Sequence, residues 1–279
     1  MIIAFSLIAV IAFAALVSAI VCAVSIKVTE YEAPIDNLDS NIKIVCISDL
    51  HSREFGKDNE KLTSLIAAQE PDAIFVNGDM INRNAEEDDI REFLSLMKML
   101  RQIAPVYYST GNHEVEYMED NGEELLSRIA ETGAVVLYDN FVETEIAGSI
   151  IRIGGTSGHY RNINWTEQID YAMQEEIGST DVPAVVMMHM PENMFADSAR
   201  ENWDADLYIS GHTHGGIVRL PIIGGLVSPA EGLFPKYDYG QYLIDGRLNL
   251  IISSGFAGYK FIPRVFNEPE ICVIMLTPE

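Results

Sequence analysis

The stretch Asp206-Leu207-Tyr208-Ile209-Ser210-Gly211-His212-Thr213-His214-Gly215-Gly216 runs from apolar residues into two histidines and a glycine pair. Asp206 to Ile209 reads as a short buried strand. Ser210-Gly211 ends it, and the glycines beyond let the backbone turn tightly without a Cβ penalty. Histidines at i and i+2 of an extended segment project to the same side, so this strand end points two imidazoles at one place. A polar turn with incidental histidines is the competing reading. The position of the other histidines decides between them.

Four further apolar runs end in the same kind of punctuation. Ile42–Ile47 leads into Ser48-Asp49-Leu50-His51, and Ala73–Val76 into Asn77-Gly78-Asp79. Pro105–Tyr108 leads into Thr110-Gly111-Asn112-His113-Glu114, and Ala184–Met188 into His189-Met190-Pro191. The chain holds 6 histidines, and all but His159 fall in these clusters. In α/β sheets ligands bind outside the carboxyl ends of the strands, so the clusters are expected to share one rim. His159, in a loop rich in Gly and Asn, is expected at the surface rather than in the chemistry.

Between the strands lie helical patterns. Leu62, Leu65 and Ile66 share one face, and Ile90, Phe93, Leu94, Met97 and Leu100 form a stripe of 3.6-residue period. Further helices are expected near 123–131 and 167–176. From Ala134 to Ile153 the pattern is mostly strand, with Gly148 at a hairpin. Strands follow at Tyr239–Ile244, Leu248–Ile252 and Ile271–Leu276. Alternating strands and helices, then strand pairs, specify an α/β domain with mixed sheets over residues 42–279. Residues 27–41, polar and acidic with Pro34, read as a linker.

Residues 2–26 carry no charge. As a helix they would extend roughly 37 Å, beyond the ~30 Å hydrocarbon core of a bilayer. An uncleaved single-pass anchor in the cell membrane is therefore expected. A cleaved signal peptide competes, with Val21-Cys22-Ala23 as a passable cleavage site, but no basic n-region precedes the run and its length exceeds an ordinary h-region. Lys27 and Lys43 follow the span, too slight a bias to settle the side on which the domain lies.

Net charge is −24 over 279 residues. That balance argues against a duplex nucleic-acid partner, whose phosphates are held by clustered Lys and Arg. Cys22, Cys46 and Cys272 have no paired spacing and read as small apolar fillers.

The strand-end residues are carboxylates, one amide and imidazoles. This set suits borderline divalent ions such as Mn, Fe or Zn, and neither a thiolate zinc site nor an all-oxygen calcium site. The candidates Asp49, His51, Asp79, Asn112, His189, His212 and His214 are too many for one tetrahedral ion and suit two. Two such ions can clamp a phosphoryl group and generate hydroxide near neutral pH.

In this order Asp49-x-His51, Gly78-Asp79, Gly111-Asn112-His113-Glu114, His189 and Gly211-His212-Thr213-His214 resemble the motif set of calcineurin-like metallophosphoesterases. Leu220-Pro221 and Arg264-Val265-Phe266-Asn267-Glu268-Pro269-Glu270 resemble its bacterial membrane-associated branch, some of whose members act on phosphodiester or pyrophosphate bonds of lipid precursors. The resemblance implies two mixed β-sheets packed face to face with helices outside, a four-layer sandwich. It implies that Asp49, His51 and His214 hold one metal, that Asn112, His189 and His212 hold the second, and that Asp79 bridges them. It also implies that His113 contacts the scissile phosphate and can protonate the leaving oxygen, while a metal-bridging hydroxide attacks in line. Manganese is the expected ion, with iron or zinc as alternatives.

The chain departs from that branch at Ile217, where glutamine is common, at Asn82, where many relatives carry an acid, and at Gly154-Gly155-Thr156-Ser157, which lacks an expected acidic neighbour. These bear on substrate choice and remove no metal ligand. The expected activity is hydrolysis of a phosphoester or pyrophosphate bond on a lipid-linked or membrane-proximal substrate. A broad phosphomonoesterase or nucleotide phosphatase is the alternative, and a metal-free binding scaffold a third reading. Leu220–Leu226 with Leu233-Phe234 could form an apolar lip by the site. Arg53, Arg83, Arg161 and Arg264 are candidate phosphate contacts.

Overall fold

The computed structural model describes residues 2–158, 176–179, 181–195, 203–229, 231–258 and 262–279. His159, Arg161 and all but the last residue of the helix expected at 167–176 lie outside them. The first half of the chain runs α1 (Ile2–Val24), β1 (Lys27–Ile35), β2 (Ile42–Ile47), α2 (Glu60–Ala67), β3 (Ala73–Asn77), α3 (Glu87–Ile103), β4 (Val106–Ser109), α4 (Asn112–Asn121) and α5 (Glu124–Ala130). There follow β5 (Val135–Leu137), β6 (Asn140–Ile146), β7 (Ser149–Gly155), β8 (Ala184–Met187) and β9 (Leu207–Ser210). Two small hairpins, β10 (Arg219–Leu220) with β11 (Gly224–Gly225) and β12 (Val227–Ser228) with β13 (Gly232–Leu233), precede β14 (Gly240–Ile244), β15 (Leu248–Ile252) and β16 (Glu270–Pro278).

Two mixed sheets of 6 strands result, ordered β1-β16-β2-β3-β4-β5 and β14-β15-β9-β8-β7-β6. The central strands of each are parallel; the first sheet has one antiparallel junction, β16 with β2, and the second has two, β14 with β15 and β6 with β7. Strands buried on both faces need continuous apolar runs, and β3, β4, β8 and β9 are buried at every position. Side chains alternate, so each sheet feeds two cores. Ile44, Cys46, Phe75, Ile153, Val185, Met187, Leu207 and Ile209 meet between the sheets. Val45, Ile47, Ile74 and Val76 face the opposite way, onto Ile90, Phe93, Met97 and Leu100 of α3. Val186, Met188, Tyr208 and Leu250 pack on Trp203 and Ile177 outside the second sheet. The face-to-face arrangement of two mixed sheets with flanking helices matches the expected sandwich.

The segment read as a linker is in part a strand. All nine residues of β1 pair in parallel with β16, from Lys27 opposite Glu270 to Ile35 opposite Pro278. Lys27, Glu30 and Glu32 are exposed while Ala33 and Ile35 are buried. An edge strand keeps one face in water and tolerates charge there, which is why this stretch looks like polar linker in the sequence.

Helix α1 spans 23 residues, and Val10, Phe13, Leu16 and Ile20 on it are exposed. Its side chains are described continuously only from Ala9 on, and among the described residues no helix is long and apolar enough to cross a membrane. Its last turns are pinned to the body. Arg53 Nη2 donates to the Ala23 carbonyl (2.5 Å), Lys61 Nζ to the Val24 carbonyl, and Phe266 N to Ser18 Oγ (2.6 Å). Cations at a helix C-terminus satisfy carbonyls that have no intrahelical partner.

Candidate dimetal site

The carboxyl ends of β2, β3, β4, β8 and β9 converge, and each delivers its side chains through a sharp turn. Asp49, His51, Asp79, His212 and His214 have φ between 49° and 65°, a left-handed conformation that costs a non-glycine residue about 1–3 kcal/mol and is held only where surroundings over-determine it. Those surroundings are tight. A Cβ on Gly78 would lie 2.3 Å from Gly111 N, and one on Gly111 would lie 2.2 Å from Asp79 Oδ1. Only glycine lets the β3 and β4 turns touch.

Asp79 occupies the centre. Its Oδ2 lies 3.2 Å from His189 Nε2 and 3.6 Å from His51 Nε2, and its Oδ1 accepts the His113 backbone N–H at 2.8 Å. Asp49 Oδ1 stands 3.8 Å from His189 Nε2 and 3.9 Å from His214 Nε2. Backbone carbonyls aim the rings: Asn77 O lies 2.7 Å from His189 Nδ1 and Ala257 O 3.2 Å from His214 Nδ1. Both rings therefore turn Nε2 inward.

Three groups, Asp49/His51/His214, His51/Asp79/His113 and Asp79/His189/His212, each gather their ligand atoms within 4.8 Å of one another. His51 Nε2, His189 Nε2 and Asn112 Oδ1 are buried and have no hydrogen-bond partner among the described residues. Buried polar atoms are almost always satisfied, so three such atoms at neighbouring strand ends, two of them beside the Asp79 carboxylate, are what a cation-binding centre looks like without its cations. The donor set of two carboxylates, an amide oxygen and imidazoles fits borderline divalent ions.

Electrostatics agree. Burial, the largest single influence, pushes the carboxyls of Asp49 and Asp79 up, but the surrounding imidazoles, His189 foremost, together outweigh it and both are lowered. Burial lowers His189, yet the Asp79 and Asp49 carboxylates raise it to about 10. Burial dominates at His214, lowered to about 3, and at His113, also lowered.

Residues 42–216 match the calcineurin-like phosphoesterase family. The chain belongs to that family. It is 27% identical over 258 residues to an uncharacterized metallophosphoesterase of Helicobacter pylori strain J99, covering 91% of this chain and 64% of that protein. The chain thus spans about two thirds of that relative's length. It is also 25% identical over 236 residues to the phosphodiesterase YaeI of Escherichia coli K12, covering 84% of this chain and 82% of that one. The fold is shared with the sulfate thiohydrolase SoxB of Thermus thermophilus, at a TM-score of 0.52 and 13% identity, over 84% of this chain and 56% of that one.

The metallophosphoesterase fold brings together every strand-end residue expected from the sequence. The cleft above them, about 500 Å³, is lined by His51, Asp79, Asn112, His113, His212 and His214, with Asn82, Arg83 and Glu116 at its side. Of the four candidate arginines, Arg83 lines this cleft and pairs with Glu116 at 3.3 Å. Arg264 does not reach it. Its guanidinium is buried and donates to the carbonyls of Ser254 (2.6 Å), Ala257 (2.6 Å) and Asn267 (2.8 Å), so it braces the carbonyl that aims His214. Arg53 likewise donates to the carbonyls of Phe256 and Ala23.

Three supporting residues are not legible in the sequence as such. The buried Glu114 carboxylate accepts the backbone N–H groups of Gly111 (2.8 Å), Asp79 (2.8 Å), Met80 (2.7 Å) and Ile81 (3.2 Å). Glu192 Oε1 lies 3.1 Å from His212 Nε2. Asn267 Nδ2 donates to the His214 carbonyl at 2.7 Å. Glu114 and Asn267 lie within motif stretches whose supporting roles the sequence does not disclose; Glu192 carries no local signal.

Proposed function

We propose that the metallophosphoesterase domain hydrolyses a phosphoester bond with two divalent ions, on a substrate that is lipid-linked or lies close to a membrane. The observation that carries the hydrolytic reading is the trio of orphaned buried atoms at the strand ends, His51 Nε2 and His189 Nε2 beside Asp79, and Asn112 Oδ1. Asp49, His51 and His214 would hold one ion, Asn112, His189 and His212 the other, and Asp79 would serve both. Manganese suits this mixed oxygen and nitrogen set, as do iron and zinc. When bound, the ions supply positive charge to phosphoryl oxygens and acidify water for in-line attack.

The chain's own residues do the rest. His113 Nδ1 accepts the Arg83 backbone N–H at 3.2 Å, which leaves the proton of the neutral ring on Nε2. Forming an imidazolium would break that bond, and burial already lowers this ring's pKa. His113 on this reading presents a neutral Nε2–H to a phosphoryl or leaving oxygen, at the position to which the resemblance gives contact with the scissile phosphate. Asp79 Oδ1 fixes it by accepting its backbone N–H. Membrane proximity rests on composition: α1 carries no charged residue over Ile2–Val24, and such a helix would seat the domain at a bilayer.

The test is elemental analysis of the purified full chain, with hydrolysis of bis(4-nitrophenyl) phosphate and 4-nitrophenyl phosphate after manganese loading. Two ions per chain and activity lost in Asp79→Ala and His113→Ala support the reading, and the rate ratio separates diester from monoester preference. A chain that stays inactive on both esters when loaded sinks it. Recovery in the membrane fraction after carbonate washing tests the placement.

A further inference from the structure

A second cavity, of about 400 Å³, adjoins the catalytic cleft, and His51 and Gly258 line both. One wall is the last turns of α1, through Ala19, Cys22 and Ala23, and the other is Ile262 with Pro263. The positions 19, 22 and 23 share one helical face. This wall is held in place, because the carbonyls of Ala23 and Val24 are tied to Arg53 and Lys61 and Ser18 to the Phe266 backbone.

The cavity also touches Arg53 and Arg264, which at first sight suits a second phosphate. Their hydrogen bonds argue otherwise. Arg53 is committed to the Ala23 and Phe256 carbonyls, and Arg264 to three carbonyls of the Ser254–Asn267 loop. Cations so engaged hold loops together, and what remains to greet a ligand is alkyl surface and small side chains. Its size falls within the range of ligand clefts, ~300–1,000 Å³.

We propose that this cavity seats the apolar arm of the phosphoester, so that α1 is a wall of the substrate site and not only an attachment. The inference rests on the phosphohydrolase reading above. A phosphoryl group over Asp79 would pass His51 and extend an alkyl chain between Ala19 and Ile262. Ala19 and Ala23 set the room available, since any larger side chain there fills the space.

The experiment titrates the manganese-loaded full chain with methyl-, butyl- and octylphosphonate by calorimetry. Complete burial of one methylene tightens binding roughly fourfold, so even partial burial should make octylphosphonate ~30-fold tighter than methylphosphonate. Ala19→Leu and Ala23→Leu should cut that ratio below ~3-fold and leave methylphosphonate within about twofold of the parent, on the same burial scale. Ile20→Trp, at a position 58% exposed and outside the cavity, should leave the chain-length dependence intact. The proposal is overturned if affinity in the parent does not rise with chain length, or if both leucine variants keep the full dependence. If methylphosphonate itself fails to bind, the phosphohydrolase reading falls, and the seat falls with it.

Discussion

Glu114 Oε2 accepts the backbone N–H of Asp79 at 2.8 Å, and Oε1 accepts those of Met80 and Ile81. One carboxylate thereby nails the β3 turn to the start of α4, with Asp79 at the joint. Removing it orphans four buried N–H groups, counting Gly111. Each unsatisfied buried donor costs about 1–3 kcal/mol. Glu114→Ala should therefore lose at least ~3 kcal/mol in urea unfolding. Glu114→Gln should lose less, since one oxygen remains. A Glu114→Ala midpoint equal to the parent's contradicts this.

Glu192 sets the orientation of His212. Its Oε1 lies 3.1 Å from His212 Nε2. Burial, the largest single influence, raises the Glu192 carboxyl, but His212, a backbone hydrogen bond and His189 together outweigh it and the group is lowered. Carboxylates behind ligating histidines are worth ~10–100-fold in metal affinity. Glu192→Gln should weaken one of two manganese-binding steps by that factor in calorimetry and leave the other unchanged. Equal loss at both steps, or none, would falsify the assignment.

His113 as a neutral donor makes a prediction distinct from His113 as an acid. His113→Ala should lower kcat by ~10²–10³-fold, the usual loss for one preorganised donor. His113→Gln, which keeps an N–H, should recover part of it. If the ring instead had to be protonated, Gln would be as inactive as Ala, and kcat/KM of the parent would fall through His113's own ionisation.

Metal removal should expose a pH dependence of stability. In the metal-free chain His189 is raised from 6.5 to about 10, so the stability it contributes is complete below about pH 6.5 and lost as pH rises towards 10. Asp49 and Asp79 are lowered from 3.8, so theirs is present above about pH 4 and lost on acidification. His214 and His113 are lowered by burial, so their contribution is lost as pH falls below about 6.5, and the melting temperature of the stripped protein should peak near about pH 6.5. Adding manganese at pH 8 should raise it, because the ion replaces the proton that His189 binds. A stripped chain more stable at pH 9 than at pH 6 runs against this.

Much of the fold was legible because the signals are local. The apolar runs of β2, β3, β8 and β9, the 3.6-residue stripe of α3 and the polar punctuation after each strand depend only on near neighbours in the chain. Parallel strands place their carboxyl ends on one edge, so Asp49, Asp79, Asn112, His189 and His212 could be assigned to a common rim before any coordinates. β1 was not legible: its partner β16 lies more than two hundred residues away, and its exposed charges obscured its two buried side chains.

His212 and His214 show the same division. Their place at the end of an apolar run put two imidazoles beside the other strand ends from sequence alone, but the extended i, i+2 geometry expected of them is absent: β9 ends at Ser210 and both residues have positive φ. What the spacing could not decide is which nitrogen each presents. For His214 that choice belongs to the Ala257 carbonyl, braced by Arg264, while Glu192 lies 3.1 Å from His212 Nε2. Hydrogen bonds of this kind join residues remote in sequence, and no local pattern encodes them. Only the packed structure sets the rotation of an imidazole, and with it the direction in which a ligand nitrogen points.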